Sequence, residues 1–159
     1  MWQYISEILL WLFVINLGIA SGAGLYETVI IIPQWFIKSP TGLLIKGEAM
    51  RQSDTGRKFW AYVTTIPLTL LTLANLVVAW ESQGPEHYWW LSASLIVLIE
   101  RIATFTFFIP TAIKLMHDEP SSAFTNKNSA SRWVSLNYIR LFLNLIGWIA
   151  ALKGLSLLT

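Results

Sequence analysis

Four long apolar stretches alternate with shorter polar segments along the chain. A helix needs about 20 residues to cross a bilayer, and each apolar stretch is longer than that. The segments between them are richer in charged and turn-forming residues. This alternation predicts an all-α polytopic membrane protein, in which residues 1–159 form a single four-helix transmembrane bundle. The predicted spans cover residues of about 8–37, 59–80, 89–115 and 133–155.

Lysine and arginine residues are distributed unevenly among the polar segments. Five lie in segment 38–58 and three in segment 114–132, whereas segment 81–88 (ESQGPEHY) contains none. Cytoplasmic loops of membrane proteins carry an excess of these residues, so the two basic segments are predicted to be cytoplasmic and both termini to lie outside. The predicted location is a plasma membrane, the bacterial inner membrane, which the chain crosses several times.

The composition agrees with a membrane protein and narrows its chemistry. Hydrophobic residues make up 55 % of the chain and charged residues 13 %, and the rings of the nine tryptophans favour a membrane interface. The chain has no cysteine, which excludes thiolate metal sites, and His87 and His117 are predicted at opposite ends of the third span. We therefore expect no metal site and no cofactor. No basic block indicates nucleic acid. The expected partners are membrane lipids and a hydrophobic small molecule, with homo-oligomer formation left open.

Polar and aromatic side chains recur at helical spacing in every span and form one polar stripe on each predicted helix. Charged and amide groups are costly in lipid, so we expect the four stripes to turn inward and to give the bundle a polar interior. The stripe residues are Asn16, Glu27 and Gln34 in the first span; Tyr62, Thr65, Thr69, Thr72 and Asn75 in the second; Glu100, Arg101 and Thr104 in the third; and Trp133, Asn137, Arg140, Asn144 and Trp148 in the fourth.

Four charged residues lie well inside the predicted spans: Glu27, Glu100, Arg101 and Arg140. An isolated charge near the middle of a membrane costs about 2.5–3.5 kcal/mol on insertion scales, so we expect the two acids to pair with the two bases. Glu100 and Arg101 are adjacent and therefore about 100° apart around a helix, which predicts that each points to a different neighbouring span. The alternative interpretation is that these ion pairs only fix the register of the helices.

A binding pocket is predicted where the stripes converge, in the cytoplasmic half of the bundle. Pro67 and Pro110 are expected to kink the second and third spans and to leave room between them. The polar groups suit a flat, weakly acidic organic molecule, with a carboxylate as base and an arginine to stabilise the resulting anion. The candidate catalytic residues are Glu27, Glu100, Arg101 and Arg140, and the candidate ligand-binding residues are Asn16, Tyr26, Trp35, Thr104, Asn137, Tyr138, Asn144 and Trp148.

Three segments also carry a family resemblance. They are GLYETVIIIPQW at 24–35, the arginine and FFIP of the third span, and RWVSLNYIRLFLNLIGWIAAL at 132–152 with its N-x-x-R motif. Together they resemble the anthrone-oxygenase-like family of small four-helix membrane proteins. The resemblance implies oxidation of anthrones to anthraquinones without metal or flavin. The functional residues that it implies are Glu27, Pro33, Trp35, Arg101, Asn137 and Arg140.

The sequence thus favours an integral membrane protein that holds a hydrophobic, aromatic or quinone-like molecule in a polar pocket, with cofactor-independent oxygenase activity as its catalytic form. Two alternatives remain open. A glutamate in the first span is also what a small proton-coupled transporter would use, although the chain has no internal repeat to support alternating access. A structural or accessory membrane subunit would need the buried charges only to hold its helices together.

Overall fold

The computed structural model describes residues 2–39, 42–117 and 123–158. This part of the chain contains four helices that are long and apolar enough to cross a membrane, which confirms the predicted all-α four-helix bundle. Each helix overlaps a predicted span along most of its length. The four helices, called spans 1 to 4, are Tyr4–Trp35, Gly56–Glu81, His87–His117 and Ser129–Leu158.

Spans 1, 2 and 3 each contain a π-helical segment directly before an Ile-Pro pair. Proline lacks a backbone N–H and its ring clashes with the carbonyl four residues earlier, so a locally wider turn accommodates it. The sequence predicts such breaks at Pro67 and Pro110, and the structure adds a third at Pro33. The helical segments are Trp2–Tyr26 (α), Glu27–Ile31 (π) and Ile32–Trp35 (α); Gly56–Thr65 (π) and Ile66–Glu81 (α); His87–Ala103 (α), Thr104–Phe108 (π) and Ile109–His117 (α); and Ala123–Leu158 (α).

The spans form a closed ring, in which each packs against its neighbours in sequence and span 4 packs against span 1. Apolar side chains fill two clusters along the axis of this ring. One cluster is centred on Leu10, Leu17 and Trp90, near the start of span 1 and the end of span 4. The other is centred on Trp35 and Trp133, at the opposite end. These two ends are called the terminal half and the hairpin half.

A β-hairpin and a short helix close the hairpin half, where the sequence predicts only a connecting segment. They are the antiparallel strands Phe36–Ser39 and Gly42–Ile45, and the helix Gly47–Ser53, here called the cover helix. Trp35 Nε1 donates a hydrogen bond of 3.0 Å to Ser53 Oγ, and the Arg51 guanidinium donates one of 2.6 Å to the carbonyl of Met116. These bonds hold the cover helix against spans 1 and 3.

Most members of the polar stripes turn inward as predicted, but two positions are wrong. Tyr62 is 72 % exposed, and Gln34 also lies on the outer surface. The π segment of span 2 accounts for Tyr62, because a wider turn shifts the helical phase and continues the inward face from Leu68 to Thr64 and Trp60. The stripe residues that are buried are Glu27, Thr72, Asn75, Glu100, Arg101, Thr104, Trp133, Asn137 and Asn144.

The orientation of the bundle in the membrane follows from the charge asymmetry alone and is open to a direct test. If the basic segments are cytoplasmic, the connection between spans 2 and 3 lies outside. We therefore expect an alkaline phosphatase fused at Gly84 to be active, and one fused at Asn126 to be inactive, when the chain is produced in a bacterial inner membrane. An inactive fusion at Gly84 beside an active one at Asn126 would reverse the predicted orientation.

Candidate functional site

A cavity of about 660 Å³ lies between the four spans in the hairpin half, with the cover helix forming part of its wall. It lies at the predicted convergence of the stripes, because all four spans contribute polar side chains to its wall. Aromatic rings supply much of the remaining surface. The polar and aromatic residues of the wall include Glu27, Thr28, Trp35, Trp60, Arg101, Thr104, Phe108, Trp133, Asn137, Arg140 and Asn144.

Glu27 is the first residue of the π segment of span 1, and its carboxylate is buried. One oxygen, Oε1, accepts hydrogen bonds from Thr55 Oγ1 at 2.6 Å and from Trp60 Nε1 at 2.8 Å. The other, Oε2, lies 4.0 Å from Arg140 Nη2. The first oxygen therefore positions the carboxylate, and the second is left for Arg140 and for a molecule in the cavity.

Arg140 projects from span 4 towards the first π segment, and its side chain is mostly buried. Its guanidinium lies 4.8 Å from the ring centre of Phe108 and 5.8 Å from that of Trp60, both within cation–π range. No hydrogen bond joins this guanidinium to any other residue in the described part of the chain. Since a guanidinium carries five N–H donors in a planar fork, Arg140 retains the capacity to bind an anionic oxygen bidentately.

Glu100 and Arg101 pair with each other, which corrects the prediction that each points to a different span. Arg101 Nε donates a hydrogen bond of 2.6 Å to Glu100 Oε2, and its Nη2 contacts the same oxygen. Thr104 Oγ1 donates one of 2.9 Å to Glu100 Oε1. The long arginine side chain curls back around its own helix, so the 100° between adjacent residues does not separate their charged groups. Both oxygens of Glu100 therefore accept hydrogen bonds, and Glu100 itself does not line the cavity. Its two partners, Arg101 and Thr104, do line it.

Two asparagines flank Arg140 on the same face of span 4 and line the cavity. Asn137 Nδ2 donates a hydrogen bond of 3.1 Å to Thr28 Oγ1. The carbonyl oxygens of Asn137 and Asn144 are buried and have no hydrogen-bond partner among the described residues. Leaving a buried acceptor unpaired costs about 1–3 kcal/mol. Two such acceptors lie beside a guanidinium whose N–H groups make no hydrogen bond in the described chain, so the arrangement suits a polar group that both donates and accepts.

The other predicted ligand-binding residues divide into three groups. Trp35 and Thr104 line the cavity. Asn16 and Trp148 lie in the interior without reaching the cavity. Asn16 Nδ2 donates a hydrogen bond of 3.0 Å to the carbonyl of Val63, and the buried Trp148 Nε1 has no hydrogen-bond partner in the part of the chain that the structure describes. The structure does not bring Tyr26 and Tyr138 to the cavity, because both lie on the outer surface, 60 % and 55 % exposed.

Sequence reasoning missed four residues that shape the site: Thr28, Thr55, Trp60 and Phe108. Thr55 and Trp60 hold Glu27, and Phe108 stacks near Arg140. No periodic signal in the sequence selects Trp60, because a uniform helical period across the π segment selects Tyr62 instead. Among the described residues, no group of three histidine or acidic side chains is placed to hold a metal ion.

Comparison with models of known protein families gives no match, and neither the curated proteins nor the solved structures compared with the chain match it significantly. The resemblance to the anthrone-oxygenase-like family therefore stays a hypothesis, and the arguments about function rest on the cavity and its side chains.

Proposed function

We propose that this protein binds a flat, hydrophobic, weakly acidic molecule in its intramembrane cavity, of the hydroxylated aromatic, anthrone or quinol type. The observation that carries the proposal is the set of unused polar groups on span 4. The Arg140 guanidinium makes no hydrogen bond within the described chain, and the carbonyl oxygens of Asn137 and Asn144 beside it are unpaired. A hydroxyl or enol satisfies both kinds of group, since it donates to an amide oxygen and its oxygen accepts from a guanidinium.

The size and lining of the cavity also support a small aromatic ligand. Pockets for small organic molecules occupy about 300–1,000 Å³ and combine apolar walls with a few polar groups that fix orientation. The present cavity of about 660 Å³ falls in this range, and Trp35, Trp133 and Phe108 offer flat apolar faces around its charged centre. A planar ring system therefore has both surface to pack against and polar groups to orient it.

The two alternative functions have less support. A transporter needs a path to both sides of the membrane, whereas Leu10, Phe13 and Leu17 of the terminal half are fully buried in a packed cluster beyond the cavity. A purely structural role accounts for the Glu100–Arg101 pair, whose groups satisfy each other. A structural role does not account for unpaired amide oxygens around a cavity. A bundle with apolar side chains at these positions and no cavity would be more stable.

The same site supports cofactor-independent oxidation by dioxygen as its catalytic form. In such a reaction Glu27 Oε2 accepts a proton from the CH2 carbon of an anthrone, and Arg140 stabilises the negative charge that conjugation places on the carbonyl oxygen across the ring. Dioxygen then adds to the carbanion carbon and is reduced to a peroxide, which takes the proton back from Glu27 to give a hydroperoxide. Loss of water from that carbon leaves the carbonyl of the anthraquinone, so one dioxygen yields one carbonyl oxygen and one water. Glu27 is the better base, because both oxygens of Glu100 are already bonded.

Ligand binding is tested with menadiol, a small naphthoquinol, under anaerobic conditions in lipid nanodiscs. Nanodiscs that carry the tagged protein compete with empty nanodiscs, and mass spectrometry measures the menadiol in each fraction. We expect Arg140→Gln to lower the affinity at least about tenfold, because an ionisable hydroxyl loses its charged partner.

Two controls make this result specific. Arg132→Gln removes an exposed arginine at the hairpin end and should leave the affinity within about threefold of the parent. The hydrocarbon 2-methylnaphthalene, which lacks the hydroxyls, should bind weakly and should not respond to Arg140→Gln. If menadiol and the hydrocarbon are retained equally, or if Arg140→Gln binds menadiol as well as the parent does, the unused polar groups of span 4 do not form the site.

A further inference from the structure

Adjacent spans of the ring meet along four lines of contact, here called seams. Three of the four seams are bridged by side-chain hydrogen bonds at the level of the cavity. Each bridge joins a residue of the cavity wall on one span to a residue on the next, so these seams are held closed where the ligand would lie. The bridges are Trp60 to Glu27 between spans 1 and 2, Asn137 to Thr28 between spans 4 and 1, and Trp133 to the Phe108 carbonyl between spans 3 and 4.

The fourth seam, between spans 2 and 3, has its extensive packing in the terminal half. There Trp90 Nε1 donates a hydrogen bond of 2.9 Å to Asn75 Oδ1, and the α-helical parts of the two spans pack together. Beside the cavity, residues 56–65 and 104–117 make no extensive contact with each other, and no hydrogen bond between these described ranges joins them. The π segments that precede Pro67 and Pro110 lie on either side of this gap.

The edges of this gap are largely apolar and belong to both the cavity and the outer surface. Ala61 and Thr65 of span 2 and Ile109 and Ile113 of span 3 line the cavity. Ile109 and Ile113 are also 37 % and 50 % exposed on the surface that faces lipid in a membrane. The cavity and the lipid-facing surface therefore share these side chains, and the gap is the apolar border between them.

The hairpin end of the cavity differs in character. Its wall there includes Arg51, Arg57 and His117, and Arg57 pairs with Asp54 at 2.9 Å. An apolar chain placed at this end would lie against charged groups and remove them from water, which is unfavourable. The gap between spans 2 and 3 is thus the exit that an apolar chain would take.

We propose that the ligand of this site carries a long apolar tail, isoprenoid or alkyl, which leaves the cavity between spans 2 and 3 and lies in the bilayer. This inference rests on the proposed function, and it adds the chemical class of the ligand: a polar aromatic head with a lipid-soluble tail. The head occupies the polar wall formed by Glu27, Asn137 and Arg140, and the tail passes between Ala61 and Ile113.

The tail itself should contribute little affinity when ligands are compared at equal concentration in the membrane. Lipid chains are as apolar as the edges of the gap, so moving a tail from lipid into the gap releases little free energy. What the gap provides is room for the tail while the head is bound. A larger side chain in the gap should therefore weaken the binding of a tailed ligand more than the binding of a tail-free one.

The nanodisc competition assay tests this by comparing menadiol with menadiol that carries a geranylgeranyl tail. We expect the parent to bind the two within about threefold of each other at equal mole fraction in lipid. Ala61→Phe or Ile113→Trp, which enlarge side chains at the span 2 and span 3 edges of the gap, should weaken the tailed ligand at least about tenfold more than they weaken menadiol. Menadiol binding by both variants shows that they fold, and the ratio of the two affinities in each variant is the result that tests the gap.

Val77→Phe supplies the matched control, because Val77 is 60 % exposed on span 2 away from the cavity and its enlargement should affect neither ligand. Equal weakening of both ligands by the gap variants would overturn the tail inference, and so would a parent that binds menadiol but rejects the tailed form. A parent that binds neither ligand would overturn the proposed function itself and the tail inference with it.

Discussion

Arg101→Leu is expected to lower the free energy of unfolding by about 3–5 kcal/mol, the cost of breaking a buried ion pair by removing one partner. Glu100 is fully buried, and the Arg101 guanidinium is the only positive group that contacts its carboxylate in the described part of the chain. The remaining hydrogen bond, from Thr104, does not neutralise the charge. The measurement is the unfolding equilibrium of the purified protein in mixed micelles, with increasing sodium dodecyl sulfate as denaturant.

The double variant Glu100→Leu/Arg101→Leu separates the cost of an unpaired charge from the worth of the pair. Replacing a whole buried ion pair by apolar residues is often neutral or stabilising, so the double variant should recover most of the lost stability. Arg57→Leu is the surface control: its pair with Asp54 is exposed on the arginine side, and exposed pairs contribute about 0–1 kcal/mol. If Arg101→Leu unfolds at the same denaturant concentration as the parent, the pair does not stabilise the bundle.

The position of the cavity was predictable because charged side chains within a membrane span must avoid lipid. A carboxylate or guanidinium within a span must turn towards protein, and this requirement alone places Glu27, Arg101 and Arg140 in the interior. The rise of about 1.5 Å per residue along a helix then predicts similar depths in the membrane for these three side chains. The structure places all three at one cavity together with Asn137 and Asn144, as the spacing of the stripes predicts.

The pairing of the charges was not predictable from the same reasoning. The angle between Glu100 and Arg101 around the helix describes their Cβ directions, whereas the arginine side chain is long enough to reach back to its neighbour. Arg140 then remains for Glu27, at the longer distance of 4.0 Å. Side-chain length, which a helical projection leaves out, decides which acid is fully satisfied and which remains available to a ligand.

Two other differences arise from backbone features that hydrophobic periodicity does not carry. The π segments shift the helical phase within spans 1, 2 and 3, so a constant period assigns Tyr62 to the inner face in place of Trp60. The hairpin and the cover helix come from a segment that is short and mostly polar, where strands of four residues give too little alternation to be read. The π segments and the cover helix both border the cavity, so the sequence predicts the position of the cavity better than the composition of its walls.

Glu27→Gln is expected to lower the rate of anthrone oxidation about 100-fold or more, because a glutamine keeps the shape of the side chain and removes the base. Trp60 and Thr55 can still donate to the amide oxygen, so the bundle should remain folded. The reaction is followed in proteoliposomes by dioxygen consumption together with anthraquinone formation, which the proposed reaction couples in equal amounts. Menadiol binding by the same variant, measured under anaerobic conditions, reports whether the cavity is intact.

Glu86→Gln is the matched control for this variant, because Glu86 is also a buried carboxylate but lies in the terminal half, where it accepts a hydrogen bond from Ser82. It should oxidise anthrone at the rate of the parent. Equal rates for the parent and Glu27→Gln would remove Glu27 as the base. No turnover above empty vesicles, with menadiol still bound in a way that depends on Arg140, would overturn the oxygenase reaction and leave the protein as a binding protein for the same class of molecule.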